Sequence, residues 1–170
     1  YRSGVVSGEL MKLLVTEAAT RRIPIAVDSQ GDFQKFKGVS LLRCNREEAE
    51  SFLHARLTDD ESFERALVTL QKRLAVTAVA ITRGADGISL IDRQGRIDHL
   101  PVLNPSEVYD VTGAGDTVIA VLALLTVAGA PLVEAAKLAN VAAGVVVRKL
   151  GNATVTQAEL AAAVQQAGLG

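Results

Sequence analysis

Apolar residues recur along the chain in two alternating rhythms. From about residue 8 to 22 they fall at helical spacing, at Leu10, Leu13, Leu14 and Ala18, and Ile23-Pro24-Ile25-Ala26-Val27 follows as a short apolar run ending at Asp28. This predicts a helix and then a buried strand. A loop with Gly31 and Gly38 leads to a second apolar strand over 39–44, a helix over 45–54, a further helix over 59–74 and a strand over 78–82. Helices alternating with β-branched runs that no polar residue interrupts indicate an α/β fold: a mainly parallel sheet covered by helices on both faces.

After Thr82 the pattern changes. Gly84-Ala85-Asp86-Gly87 is a turn, 88–91 a strand, Arg93-Gln94-Gly95 another turn and 97–103 a further strand, which together predict an antiparallel edge ribbon over about 88–103. Two long helices follow, over 114–128 and 131–150, separated by Gly129 and Pro131. A last helix over 157–166 starts behind Thr156 with Glu159 three residues on, the spacing of a capping box.

Composition narrows the function. With 170 residues, 49% of them hydrophobic and 22% charged, the chain is long enough to bury a core and is expected to form a single domain over 1–170. A formal net charge of −1, with no basic face or tail, argues against nucleic acid and membrane surfaces as partners and leaves small molecules. The single cysteine, Cys44, has no intrachain partner and no nearby histidine, and it closes an apolar run, so it reads as a small buried residue. No signal-like segment and no run of eighteen apolar residues occurs, which places the protein in the cytoplasm. Tyr1-Arg2-Ser3-Gly4 has no initiator methionine and reads as the interior of a longer protein.

The residues richest in chemistry are Asp110-Val111-Thr112-Gly113-Ala114-Gly115-Asp116-Thr117. Gly113, Ala114 and Gly115 carry almost no side chain, so their N–H groups can face one concavity at the positive end of the helix that follows. A carboxylate at Asp116, beside a phosphate cradle, suits removal of a proton from an attacking hydroxyl. The same residues are also compatible with an ordinary loop in which Asp116 complements the helix dipole. Asp110 and Thr112 add oxygen atoms suited to a hard cation. Neither GxxxxGK[ST] nor a complete dinucleotide fingerprint is present.

Three further groups carry two readings each. Asn45-Arg46-Glu47-Glu48 lies where a strand becomes a helix, the edge at which open α/β sheets bind ligands, and it is equally a capping box. In the functional reading Glu48 holds waters of Mg²⁺ and Asn45 lies near phosphates. Thr82-Arg83-Gly84-Ala85-Asp86-Gly87 permits either a tight turn or close approach of a flat ligand. Asn140, set among Ala139, Val141, Ala142 and Ala143, needs a partner, either a backbone carbonyl or a nucleotide. His54 and His99 have no metal-ligand spacing around them and read as surface or satisfied histidines.

Taken in order, these pieces resemble the PfkB/ribokinase family of carbohydrate kinases, through DVTGAGDT at 110–117, Asn45-x-x-Glu48, Thr82-Arg83-Gly84 with Gly87, and Ala139-Asn140-Val141-Ala142-Ala143-Gly144. Residues 109–123 and 138–151 are most similar to the branch that phosphorylates heptose 7-phosphate. The resemblance implies the carboxy-terminal part of a ribokinase-like three-layer fold, without its amino-terminal half and lid. It further implies an ATP-dependent kinase acting on a sugar or sugar-phosphate hydroxyl, with Asp116 as general base and Gly113, Ala114 and Gly115 as the anion hole. Asn45, Thr82, Gly84, Gly87 and Asn140 would bind the nucleotide, Glu48 would hold Mg²⁺ through water, and Asp110 and Thr112 would take a monovalent cation such as K⁺. A homodimer is implied as well. Ser3, Cys44 and Asp28-Ser29-Gln30-Gly31 depart from the heptose branch, and two of its positive charges are missing, which keeps a neutral sugar, a nucleoside acceptor or a non-catalytic nucleotide-binding role among the readings.

Overall fold

The computed structural model of the protein describes residues 5–102 and 110–169. Tyr1 to Gly4, the end of the strand expected over 97–103, and Tyr109 lie outside the described residues. The chain divides into two compact units, one holding the residues up to Gly84 with Ser89–His99, the other Ala85–Ile88 with the residues from Leu100 onward.

The first unit opens with helix α1 (Gly8–Arg21), capped by the Ser7 hydroxyl accepting from the Leu10 N–H and ended by Arg22 in the left-handed region at φ 56°. Helical spacing finds this helix but not its buried face. Met11 is buried, whereas Leu10, Leu13 and Leu14 are 39%, 59% and 44% exposed. Strand β1 (Ala26–Asp28) is shorter than the apolar run and only half-buried, which corrects the buried strand expected over 23–27. Two local causes shorten it. The Ile23 N–H turns back to Ala18 O, and Pro24 has no N–H to donate to a ladder.

Strands β2 (Leu41–Asn45), β3 (Ala78–Thr82), β4 (Ile88–Ile91) and β5 (Ile97–Leu100) complete a five-stranded sheet in the order β1-β2-β3-β4-β5. β1, β2 and β3 run parallel, in a register that sets Asp28 beside Arg43 and Asn45 beside Thr82. The link from β4 to β5 is too short for a parallel crossover, and Asp92 N–H donates to Arg96 O across it, so the expected antiparallel ribbon is present over 88–100. Helices α2 (Arg46–Leu53) and α3 (Asp60–Leu74) follow β2. α3 buries Phe63, Ala66, Leu67, Leu70 and Leu74 on one stripe, against Val79 and Ile81 of β3. A 3₁₀ turn over Phe33–Phe36 occupies part of the expected loop and drives both phenylalanines into the same core, with Phe33 stacked on Phe52 at 4.8 Å.

The second unit contains helices α4 (Ala114–Val127), α5 (Leu132–Val146) and α6 (Gln157–Gln166). Small side chains at Ala135, Ala136, Ala139 and Ala142 of α5 are buried, as are Val118 and Leu122 of α4, and the two helices pack along each other. α5 stops at Val146, short of the residue 150 expected from its apolar pattern. The carbonyls that would continue it are taken: Val146 O accepts from Lys149 N–H in a turn, and Val147 O from Asp110 N–H.

Candidate active site

In the first unit the carboxyl ends of β2 and β3 bring Asn45, Glu48 and Thr82 together. The capping box is fully formed. Asn45 Oδ1 accepts from Glu48 N–H at 2.8 Å, and Glu48 Oε2 accepts from Asn45 N–H at 2.8 Å. Half-burial raises the Glu48 carboxyl above its usual range, opposed by its bond from Asn45 and by the Arg43 cation.

Arg43 gives no sign of itself in the apolar pattern, yet it ties this edge together. Its guanidinium donates to both Asp28 oxygens, at 2.8 and 3.0 Å, and to the Thr82 hydroxyl at 2.7 Å. A charge inside an apolar run must find a counter-charge, and that was the available signal. Which strand supplies it depends on register. The Cys44 thiol beside it is fully buried and pushed far above its usual range by that burial, which leaves it inert.

The loop that leaves β3 begins a 3₁₀ turn over Gly84–Asp86, with Gly84 at φ 63° and Gly87 at φ 94°. In the second unit, a Cβ on Gly87 would lie 2.0 Å from Leu100 O, so the close approach this glycine permits is that of the chain's own backbone. Asn140 reaches the neighbouring peptide: its amide donates to Pro101 O at 2.7 Å, and the residue is 8% exposed. Of its two candidate partners, the backbone carbonyl is therefore satisfied.

The amino end of α4 differs from that of most helices here. Its cap residue, Gly113, is in the left-handed region at φ 81°, and no side chain caps the helix. Ala114 N–H turns back to Val111 O, Thr117 N–H and hydroxyl both donate to Gly113 O, and the amides of Gly115 and Asp116 open the first turn. Asp116 is exposed in that turn. Asp110 braces the approach. One carboxylate oxygen accepts from Thr112 N–H at 2.9 Å and the other from Gly151 N–H at 3.0 Å. The Thr112 hydroxyl and amide and the Gly151 amide hold the Asp110 carboxyl below its usual range, so it stays ionised. Among the described residues no group of three or more His, Cys, Asp or Glu side chains is arranged to hold a metal, and no helix is long and apolar enough to cross a membrane.

The fold is the ribokinase-like α/β fold, a mixed five-stranded sheet with helices. Residues 3–159 match the pfkB family carbohydrate kinase model, and the chain belongs to that family. It is 42% identical over 165 residues to "Bifunctional protein HldE" of Trichlorobacter lovleyi, covering 96% of this chain and 33% of that protein. It is 44% identical over 166 residues to the protein of the same name from Proteus mirabilis, covering 97% of this chain and 34% of the relative. The chain thus spans about a third of the length of these relatives. Among solved structures, Arabidopsis thaliana ribokinase complexed with ribose and ATP superposes with a TM-score of 0.83 at 20% identity, over 93% of this chain and 53% of that one. Phosphofructokinase-2 from Escherichia coli in complex with potassium gives 0.83 at 17% identity, over 95% and 53%.

Proposed function

We propose that this chain is the nucleotide-binding portion of an ATP-dependent carbohydrate kinase that phosphorylates a hydroxyl of a sugar or sugar phosphate, with heptose 7-phosphate as the leading acceptor. The observation that carries the proposal is the amino end of α4, where glycine replaces a capping side chain and Asp116 stands in the first turn. An uncapped helix end presents N–H donors to an anion, and the absence of side chains at Gly113 and Gly115 lets phosphate oxygens come close. The reading agrees with the family and with the ATP named for the Arabidopsis neighbour.

In this mechanism the stretch Gly113, Ala114 and Gly115 forms the anion hole for the oxygens of the transferring phosphoryl group, whose negative charge is spread over them in the transition state. Asp116 accepts the proton of the attacking sugar hydroxyl as its oxygen bonds to the γ-phosphorus and the bond from that phosphorus to the bridging oxygen breaks, releasing ADP. Glu48 would hold Mg²⁺ through its waters, its side chain being already fixed by the bond from Asn45 N–H, and the metal would supply neutralisation of phosphate charge. Thr82 and Gly84 line the nucleotide on the β3 side, and Gly87 and Asn140 shape the backbone around Leu100 and Pro101. Asp110, ionised and immobilised, with Thr112, is assigned to a monovalent cation such as K⁺. A cytoplasmic homodimer completes the proposal. The test is phosphotransfer by the full-length protein across sugars, sugar phosphates and nucleosides, with Mg²⁺ and K⁺ varied. Transfer to heptose 7-phosphate well above the other acceptors supports the reading; transfer to none of them, or to nucleosides alone, overturns it.

A further inference from the structure

A second polar cluster, formed within the first unit, surrounds Arg83, the residue between Thr82 and Gly84. Its Nη1 donates to Asp60 Oδ1 at 2.6 Å and to Ser89 Oγ at 3.1 Å, and lies 3.4 Å from His99 Nδ1. The guanidinium also lies over the Phe63 ring, 4.3 Å from its centroid. Ser89 is fully buried, and its oxygen is 2.8 Å from His99 Nδ1. A guanidinium nitrogen can only donate, so toward Arg83 the Nδ1 atom acts as acceptor, which suits a bond from the Ser89 hydroxyl, and the other ring nitrogen, Nε2, lies 3.5 Å from Glu64 Oε1. From the other side, Arg46 Nη2 donates to Arg83 O at 3.4 Å, joining the first residue of α2 to the same peptide.

The restraints on this one side chain come from the first two turns of α3, from β4 and from β5, elements far apart in sequence. Next to it, Gly84, Ala85 and Asp86 are exposed, and Gly84 has a backbone open to many conformations. A loop of that kind is ordered before a ligand arrives only if something pins its base, and ordering it beforehand improves affinity without adding a contact.

We propose that the Asp60–Arg83–Ser89–His99 network is a positioning device for the nucleotide loop that starts at Thr82, with Arg83 as its pivot, and that it sets affinity for ATP while leaving the rate of transfer alone. The inference rests on the kinase reading above. Arg83 touches no reacting atom; it acts through the loop backbone. The guanidinium suits this place because its flat face lies over the Phe63 ring while its Nη1 edge meets Asp60 and Ser89, an arrangement that a compact ammonium group does not reproduce.

The test compares full-length wild type with Arg83→Lys, Arg83→Gln and Asp60→Asn, reading KM and kcat for ATP, KM for the acceptor, ATP binding by calorimetry and the thermal midpoint. Arg83→Gln is expected to raise KM and Kd for ATP by about tenfold, the size of losing charge-assisted bonds, with kcat and acceptor KM within about twofold. Arg83→Lys is expected to recover only part of the loss. Asp60→Asn, at a side chain 61% exposed and so tolerant of change, shifts ATP affinity in the same direction by a smaller factor and covers the case in which Arg83→Gln does not fold. Unchanged ATP affinity in folded variants, or an acceptor KM that rises in step with that for ATP, overturns the inference. Failure of wild type to transfer phosphate overturns the kinase reading instead, and calorimetry still tests the loop.

Discussion

The amino ends of α2 and α4 meet the same physical demand in opposite ways. At α2, Asn45 and Glu48 satisfy each other's backbone N–H groups, so the helix end is closed by its own side chains. At α4, Gly113 has no side chain to offer, no other side chain caps the helix, and Asp116 stands exposed in the first turn. α1, α3 and α6 follow the closed pattern, through Ser7, Asp59 and Thr156; α5, entered through Pro131, shares with α4 the lack of a capping side chain but has neither its glycines nor an aspartate in the first turn. A closed end contributes stability. An end left open by a glycine in the left-handed region gives up that contribution, which makes sense when a ligand completes it.

Substitutions separate the two roles, and the largest effect belongs to the open end. Asp116→Asn should lower turnover by on the order of 10²-fold or more while leaving the thermal midpoint unchanged, because general-base catalysis contributes at least that factor. Activity within a few-fold of wild type would remove Asp116 from the mechanism. Gly113→Ala places a Cβ on a residue at φ 81°, which costs about 1–2 kcal/mol in that conformation, and it should also weaken ATP binding. Denaturant titration and calorimetry read the two losses separately.

The closed end responds more mildly and in a different quantity. Asn45→Ala removes a capping acceptor and should cost about 1 kcal/mol of stability. If it instead abolishes transfer at full stability, the contrast between the two ends fails and Asn45 belongs with the phosphate site. The smallest effect lies at α6. Glu159, held by Lys149 and by Thr156, has its carboxyl lowered from 4.5 to about 2. A depressed carboxyl contributes stability that is complete above its unfolded value and is lost as pH falls through the folded one. Wild type should therefore lose this contribution between pH 4.5 and about 2, whereas Glu159→Gln, which keeps a capping acceptor, shows a flatter acid limb. A stability gap between the two proteins that persists below pH 2 would contradict this account.

Much of this was legible in the chain itself. The β3 strand, the β4 strand, the capping boxes at Asn45 and Thr156 and the helix after Gly-Ala-Gly-Asp all lie where apolar spacing and turn residues put them. The two readings left open at Asn45 were separable only in part, because a formed capping box does not prevent Glu48 from meeting a hydrated cation. Other features had no local trace. Leu10, Leu13 and Leu14 mark α1 as a helix, but periodicity alone does not reveal that Met11 turns inward instead. Asp28, Arg43 and Thr82 look unrelated along the sequence, as do Asp60, Arg83, Ser89 and His99.

By itself the sequence determined what rests on neighbours within about one helical turn: caps, tight turns and the bare peptide units ahead of Asp116, since these depend on backbone preferences and on hydrogen bonds that close over three or four residues. The tertiary structure alone decided the rest. Parallel register set Arg43 between Asp28 and Thr82, and Gly87 must be glycine because Leu100 O passes within 2.0 Å of where a Cβ would stand. Such pairings depend on which distant segments pack side by side, and that is fixed by burial of the whole core together, not by any residue's own preference.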